Sequence, residues 1–217
     1  MEKKPETQVK IKICGLRTPA DVAAVNAALP EYAGFIFVPM RRRYVAPAQA
    51  AILCQQLDPR IRPVGVFVDA RVEEILEVLT HCPLDMVQLH GSEDNDYIAM
   101  LRAAYRDRFA VESHELCIVK AFRVEGADDI RRAEASASDE ILLDHGAGGT
   151  GERFDWTLLQ YCRRRFFLAG GLTPDNVENA IRVAQPYAVD ASSSLESDGR
   201  KDPEKIRRFV VAVRSSL

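Results

Sequence analysis

The chain has 217 residues, 47% of them hydrophobic and 28% charged, with a formal net charge of −3. It is long enough to bury a substantial core, and its composition is that of an ordinary globular protein. Its charge gives no electrostatic reason to expect nucleic acid or an anionic membrane as a partner.

No apolar run approaches the roughly 20 residues of a membrane span, and residues 1–8 are polar, with no secretory apolar segment. The five cysteines (Cys14, Cys54, Cys82, Cys117 and Cys162) form no C-x-x-C pair, which points to a reducing cytoplasm. The four histidines show no zinc-binding spacing, so no metal site is expected.

In chain order, residues 9–14 (VKIKIC) alternate and stop at Gly15, a short strand. Thr18-Pro19-Ala20-Asp21 then starts a helix: a capping threonine, a proline at the first helical position and an acid in the first turn. That helix is alanine-rich and is stopped near Pro30. Residues 33–38 (AGFIFV) read as a buried strand and 39–46 as an irregular loop, and a helix runs from near Pro47 to near Leu57. The alternation continues with strand 63–69, helix 72–80, strand 86–89 and a helix from 92 to about 106. Strand 116–122, a helix from 127 to about 135, strand 141–144 and helix 155–162 follow. Strand 166–169, helix 174–184 capped by Thr173, and a short strand 188–190 come next. Asp202-Pro203-Glu204 caps a closing helix whose Ile206, Phe209, Val210 and Val213 recur at helical spacing.

Strands that are apolar on both faces, each followed by a helix, imply a parallel sheet. Eight such units without a linker predict a single closed (β/α)8 barrel, a TIM barrel, over residues 9–217 behind a polar tail of residues 1–8. An open dinucleotide-type sheet would need G-x-G-x-x-G after the first strand, where this chain has Cys14-Gly15-Leu16-Arg17. Barrel active sites lie at the C-terminal ends of the strands. Those ends are Cys14, the 39–44 loop, Asp69, Gln88-Leu89-His90, Phe122, Asp144, Gly170-Gly171 and Asp190 to Ser194.

One stretch, residues 141–156, organises the rest. Ile141-Leu142-Leu143 deliver Asp144 to a strand end, and Gly146, Gly148, Gly149 and Gly151 follow in a loop able to present N–H groups to an anion. Phe154 and Trp156 return the chain to the interior. Taken alone, the stretch is equally a proton donor beside an anionic substrate or a solvated strand-end acid before a flexible loop. The glycines after strand seven and the serines after strand eight fall where barrels commonly hold phosphate.

Six motifs, in order, carry a family resemblance: Lys12-Ile13-Cys14-Gly15-Leu16, Gly34-Phe35-Ile36-Phe37, Val64-Gly65-Val66-Phe67-Val68, Val87-Gln88-Leu89-His90-Gly91, Gly148-Gly149-Thr150-Gly151 with Phe154-Asp155-Trp156, and Ala169-Gly170-Gly171-Leu172. Together they resemble phosphoribosylanthranilate isomerase, the tryptophan-pathway enzyme, from about residue 9 to the C-terminus. The resemblance implies an Amadori rearrangement of N-(5'-phosphoribosyl)anthranilate, a small phosphorylated sugar–anthranilate, without a cofactor. It leaves monomer or homodimer open. An acid must protonate the furanose ring oxygen and a base must remove the C2 proton, each transfer worth about 10²–10⁴ in rate.

By that resemblance Asp144 matches the general acid and Cys14 the general base. Asp144 is expected to hold its proton above the roughly 3.9 of a free aspartate, since burial favours the neutral form. A free thiol titrates near 8.5, so Cys14 needs surroundings that favour its anion. Arg43 matches the arginine for the anthranilate carboxylate, a task suited to a planar two-pronged donor. Gly149, Thr150, Gly151, Gly170, Gly171, Ser192 and Ser193 would hold the phosphate, and Gln88 and Asp190 would line the pocket. His90 stays open between barrel rim and ligand contact. The other cysteines read as small buried hydrophobes.

Two positions depart from the family pattern. Arg41 stands where a serine is usual, so a neighbouring arginine could compete for the carboxylate. Ser194 stands where a glycine is usual, at a cost of about 1 kcal/mol or more if that position needs a positive φ. Two other readings remain: the histidine-pathway enzyme that runs the same rearrangement, and a barrel that binds a phosphorylated ligand without turnover. Cys14 at strand one and a single phosphate cluster argue against the first, and the retained Cys14–Asp144 pair argues against the second.

Overall fold

The computed structural model of the protein describes residues 8–110, 116–145 and 156–216. Parallel strands β1 (Lys10–Cys14), β2 (Tyr32–Ile36), β3 (Arg62–Phe67), β4 (Met86–Leu89), β5 (Cys117–Arg123), β6 (Glu140–Asp144), β7 (Phe166–Ala169) and β8 (Ala188–Ala191) pair in sequence order, and β8 returns to β1 to close an eight-stranded barrel. Helices α1 (Pro19–Ala28), α2 (Pro47–Gln55), α3 (Val72–His81), α4 (Asn95–Phe109), α5 (Ala127–Glu134), α6 (Val177–Ala184) and α7 (Pro203–Ser215) alternate with the strands. This is the (β/α)8 architecture expected from the strand–helix alternation.

The two-residue period of a strand divides the core in two. Ile11 and Ile13 of β1 belong to the large apolar cluster shared with the helices. The smaller cluster fills the barrel lumen and contains Tyr32, Val64, Met86, Val119, Ala121, Leu142, Phe167, Ala169 and Ala188. At its N-terminal end Phe167 meets Tyr32 edge-on at 5.3 Å and Tyr187 at 5.7 Å between ring centroids, and the two tyrosine hydroxyls lie 3.2 Å apart. Lys10 and Arg165 sit over the Tyr187 ring at 5.0 and 4.5 Å. With that end filled by aromatics, the polar and titratable side chains described below collect at the C-terminal ends.

Local sequence explains most element boundaries. Thr18 Oγ1 accepts from Asp21 N while Asp21 Oδ2 accepts from Thr18 N, a reciprocal cap worth about 1 kcal/mol that fixes the start of α1 directly after β1. Beyond shifts of one to three residues at other element ends, three elements differ from expectation. Helix α4 starts at Asn95 with Asp94 as its cap rather than at Ser92, because Ser92 N and Oγ both bind Asp69 Oδ1. Regular α6 starts at Val177 with Asn176 as N-cap, not at Pro174 with Thr173. Thr173 instead holds the turn before it, its Oγ1 accepting from Asp175 N and its carbonyl from Asn176 N and Val177 N. The helix expected over 155–162 is a 3₁₀ helix, Trp156–Tyr161.

One element was not anticipated. After β8 and the 3₁₀ turn Ser193–Leu195, strands β9 (Glu196–Ser197) and β10 (Arg200–Lys201) form an antiparallel hairpin around Asp198 and Gly199, both at positive φ. It stands over the β1–β8 side of the mouth.

Candidate active site

Cys14 ends β1 and is only 6% exposed. Two residues earlier, on the same face, Lys12 is 1% exposed and its ammonium donates to Asp190 Oδ2 at 2.8 Å across the β1–β8 ladder, where the two residues are register partners. Burial pushes the Cys14 thiol up, and Asp190 adds to that, while Lys12 and Lys201 pull it down. Burial works against the Lys12 ammonium, but Asp190 and Cys14 outweigh it, so the lysine stays above its ordinary value. Asp190 is itself raised, by burial first and by Asp144 further, against the opposing pull of Lys12 and His90.

Small residues make room for this cluster. A Cβ on Gly34 would stand 2.7 Å from Cys14 Sγ and 3.0 Å from Cys14 Cα. Gly15, at φ +88, lies against Arg43 Cδ and Ser192 Oγ, where a Cβ would meet them at 2.7 and 3.2 Å. Ser192 Oγ donates to the Cys14 carbonyl at 2.9 Å, binding the strand-eight serines to the end of β1.

Asp144 ends β6, its side chain 25% exposed, with Oδ2 3.3 Å from His90 Nε2. The Gln88 amide nitrogen sits 2.9 Å from His90 Nδ1. When that amide donates to Nδ1, the ring hydrogen lies on Nε2 and faces the Asp144 carboxyl. His90 is therefore a partner of Asp144 as well as a rim residue. Gln88 Oε1 and Asp190 Oδ1 are buried without a hydrogen-bond partner among the described residues. Two such orphans aimed into one mouth are the mark of a site shaped for a polar ligand.

Arg43 leaves the β2 loop and donates from Nε to Glu196 Oε1 at 2.6 Å. Arg42 reaches Glu196 Oε2 at 2.5 Å, and the buried Lys201 reaches Oε1 at 3.3 Å and the Ser192 carbonyl at 2.8 Å. Burial would raise Glu196, but Arg43, Lys201 and Arg42 together hold it down at about 2. Burial lowers Lys201, partly offset by Glu196 and Cys14. Arg42 is thereby engaged, and Arg41 is exposed at the loop tip.

At the corner expected to hold phosphate, Gly170 and Gly171 adopt φ +96 and +64. A Cβ on Gly170 would lie 2.2 Å from the His145 carbonyl oxygen, whereas Gly171 faces open space. Ser193 begins the 3₁₀ turn beside them. Ser194 does not occupy the left-handed region, and its hydroxyl donates to the Leu172 carbonyl, so the strain considered for that position does not arise. Gly149, Thr150 and Gly151 lie outside the described residues.

The geometry thus gathers Cys14, Asp190, Gln88, Asp144, Arg43, Gly170, Gly171, Ser192 and Ser193 around the C-terminal mouth. Lys12, Lys201 and Glu196 belong to the same cluster and were not singled out from the sequence. A signal for Lys12 was present: in VKIKIC the apolar residues take one face, leaving Lys10, Lys12 and Cys14 on the other. Asp198-Gly199, a strong hairpin dipeptide, pointed to the element that carries Glu196 and Lys201.

Comparison with known proteins agrees with this mouth. The family model for N-(5'-phosphoribosyl)anthranilate (PRA) isomerase matches residues 11–212. The chain is 42% identical over 203 residues to the N-(5'-phosphoribosyl)anthranilate isomerase of Lactiplantibacillus plantarum, covering 93% of this chain and 90% of that one. Among solved structures, a phosphoribosyl anthranilate isomerase in complex with reduced 1-(o-carboxyphenylamino)-1-deoxyribulose 5-phosphate superposes with a TM-score of 0.80 at 34% identity, covering 94% of this chain and 98% of that chain. Monomers of the dimeric enzyme from Thermotoga maritima give the same TM-score, 0.80, at 34% identity and the same coverage, 94% and 98%. The chain belongs to the N-(5'-phosphoribosyl)anthranilate isomerase family.

Proposed function

We propose that the chain converts N-(5'-phosphoribosyl)anthranilate to 1-(2-carboxyphenylamino)-1-deoxyribulose 5-phosphate in tryptophan biosynthesis, with Asp144 as general acid and Cys14 as general base. One observation carries the assignment of roles. Cys14 and Asp144 end strands β1 and β6 of one mouth, and Asp190 between them feels Lys12 on one side and both Asp144 and His90 on the other. Asp144 and Cys14 are thereby parts of one electrostatic unit.

In this scheme Asp144 delivers a proton to the ring oxygen, the C1–O bond breaks, and an iminium forms at C1. Cys14, as thiolate, removes the C2 proton to give the enolamine. Tautomerisation to the ketone moves one proton from O2 to C1 and leaves the net count unchanged. The site resets when Cys14 gives up one proton and Asp144 regains one.

Arg43 fits the anthranilate carboxylate, with Glu196 fixing the plane of its guanidinium through Nε. The phosphate would rest on Gly170, Gly171, Ser192 and Ser193 together with Gly149, Thr150 and Gly151. Because the Ser192 hydroxyl is occupied by the Cys14 carbonyl, Ser192 would serve the phosphate through its N–H. Gln88 Oε1 and Asp190 Oδ1 are the buried acceptors open to substrate hydroxyls. Every group in the scheme comes from one chain, so a monomer or a homodimer would serve equally. Five unpaired cysteines suit a reducing cytoplasm, and among the described residues no helix is long and apolar enough to cross a membrane.

The test is the decay of anthranilate-type fluorescence when the purified chain meets freshly generated phosphoribosylanthranilate. Rapid decay is expected from the unaltered chain. Asp144→Asn and Cys14→Ala should each abolish it while product still binds, since neither asparagine nor alanine can exchange the required proton. Turnover retained by either variant would remove that residue from its role.

A further inference from the structure

Lys12 has no part in the reaction scheme above, yet it occupies one of the most protected positions in the barrel. A buried ammonium is costly unless it is paired. Even paired, such an ion pair often stabilises a fold no better than apolar side chains of similar volume. Apolar groups such as Val64, Met86, Leu142 and Phe167 fill much of the lumen. A lysine–aspartate pair set among them calls for a reason beyond packing.

The pair is also incomplete in itself. Lys12 occupies Asp190 Oδ2 at 2.8 Å, while Oδ1 is buried without a partner among the described residues. On the other side of Lys12, two residues along the same face of β1, stands Cys14, confined by Gly34. The second nearby ammonium, Lys201, is tied to the Ser192 carbonyl and to Glu196, a carboxylate it shares with Arg42 and Arg43. Its charge is largely neutralised before it reaches the sulfur. Of the two cations acting on Cys14, Lys12 exerts the larger effect.

Resting on the reading of Cys14 as the base, we propose that Lys12 is a positioning residue whose buried ammonium holds Cys14 within reach of its thiolate form, and that Asp190 sets how much of that charge the sulfur receives. Without Lys12 the thiolate would form in a desolvated pocket facing the Asp190 carboxylate, so burial and like charge would both oppose it. Without Asp190 the ammonium would turn wholly to the sulfur. The two members of one ion pair therefore push Cys14 in opposite directions, whereas a merely structural pair gives both losses the same sign. The other charged groups around this unit are Lys201 and Glu196 on the hairpin and Arg43 on the β2 loop, with Asp144 and His90 beyond Asp190. All of them stay in place in the test.

The experiment is the pH dependence of iodoacetamide alkylation at Cys14, read by mass spectrometry on the peptide that carries it, so that the other four cysteines do not interfere. Only the thiolate reacts, and the midpoint reports its formation whatever the access of reagent, which scales only the plateau. Lys12→Met should move the midpoint up by about one to three pH units, slowing alkylation near neutral pH about tenfold or more. Asp190→Asn should move it down, and Lys12→Arg, which keeps the charge, should recover most of the shift. In turnover, Lys12→Met should lower kcat with the ascending limb of its pH profile displaced to higher pH.

An unchanged midpoint in folded Lys12→Met, or shifts of the same sign in Lys12→Met and Asp190→Asn, would overturn the proposal. Should Lys12→Met fail to fold, Asp190→Asn decides alone: an unchanged or raised midpoint refutes it. The midpoint does not depend on catalysis, so turnover retained by Cys14→Ala would remove the base role without moving it.

Discussion

Gly34→Ala is the most direct probe of how narrowly Cys14 is held. The new methyl would lie 2.7 Å from Cys14 Sγ, 3.2 Å from its Cβ and 3.0 Å from its Cα. Ordinary non-bonded contact is about 3.5–4.0 Å, so the thiol must retreat by about 1 Å. Rotating χ1 cannot relieve the contact with Cα, which forces part of the strain into the β1–β2 ladder. Overpacking of this kind costs about 1–3 kcal/mol of stability. A misplacement of about 1 Å in a reacting group costs on the order of 10² in rate. With Cys14 as the proposed base, the expected outcome is a folded protein with a lowered melting temperature and kcat reduced about a hundredfold. KM should change less than kcat, because Arg43, proposed to bind the anthranilate carboxylate, is anchored by Glu196. Gly126→Ala is the control: nothing lies within 4 Å of its added methyl, and its kcat should match the parent. The assay is the fluorescence decay at saturating substrate, with thermal unfolding of each variant alongside. Gly34→Ala with parental kcat and melting temperature would show that the thiol is not confined as described.

Three further substitutions probe other parts of the mouth. Glu196, held at about 2 by its three cations, has a folded value below that of the unfolded chain, so its stabilisation is complete above roughly pH 4.5 and is lost as pH falls through about 2. Glu196→Gln should therefore cost up to roughly 3 kcal/mol at neutral pH in urea unfolding, with the difference vanishing near pH 2; a difference independent of pH would contradict the ion-pair account. Gly170→Ala sets a methyl 2.2 Å from the His145 carbonyl oxygen at φ +96 and should cost about 3 kcal/mol or more, or prevent folding. Gly171→Ala faces open space at φ +64 and should cost only about 1 kcal/mol, and equal losses at the two glycines would refute the distinction.

What the sequence made legible follows the physics of each signal. Strand and helix positions came through because apolar periodicity and caps such as Thr18-Pro19-Ala20-Asp21 act within a few residues. Strand ends then pointed to Cys14 and Asp144 without any knowledge of their neighbours. The start of α4 moved for a tertiary reason. Ser92 reads as a helix cap, but Asp69, 23 residues earlier, claims both its N–H and its hydroxyl. Arg41-Arg42-Arg43 looked like competition for one substrate carboxylate. The hairpin supplies Glu196, which engages Arg42 and Arg43, while Arg41 is exposed. A contact spanning 153 residues leaves no local trace in a single chain.

Under the proposed roles, the charge layout of the mouth lets acid and base coexist there. The reaction needs one group that arrives protonated and another that arrives without its proton, within reach of one small sugar. The cationic groups lie on the β1–β8 side, where Lys12 and Lys201 flank Cys14, so that is where a new anion is best received. On the β6 side Asp144, the proposed acid, faces His90 rather than a permanent cation, and the carboxylate it would leave after proton delivery would lie 3.3 Å from Nε2. The Lys12–Asp190 pair lies between as an oriented dipole, its positive end at the sulfur and its negative end under the influence of Asp144 and His90. Reversing that dipole would leave every apolar contact of the barrel intact and would still favour a thiol over a thiolate at Cys14. Burial of a charged pair in the lumen is thus tied to polarity, which no apolar replacement of the same volume could provide.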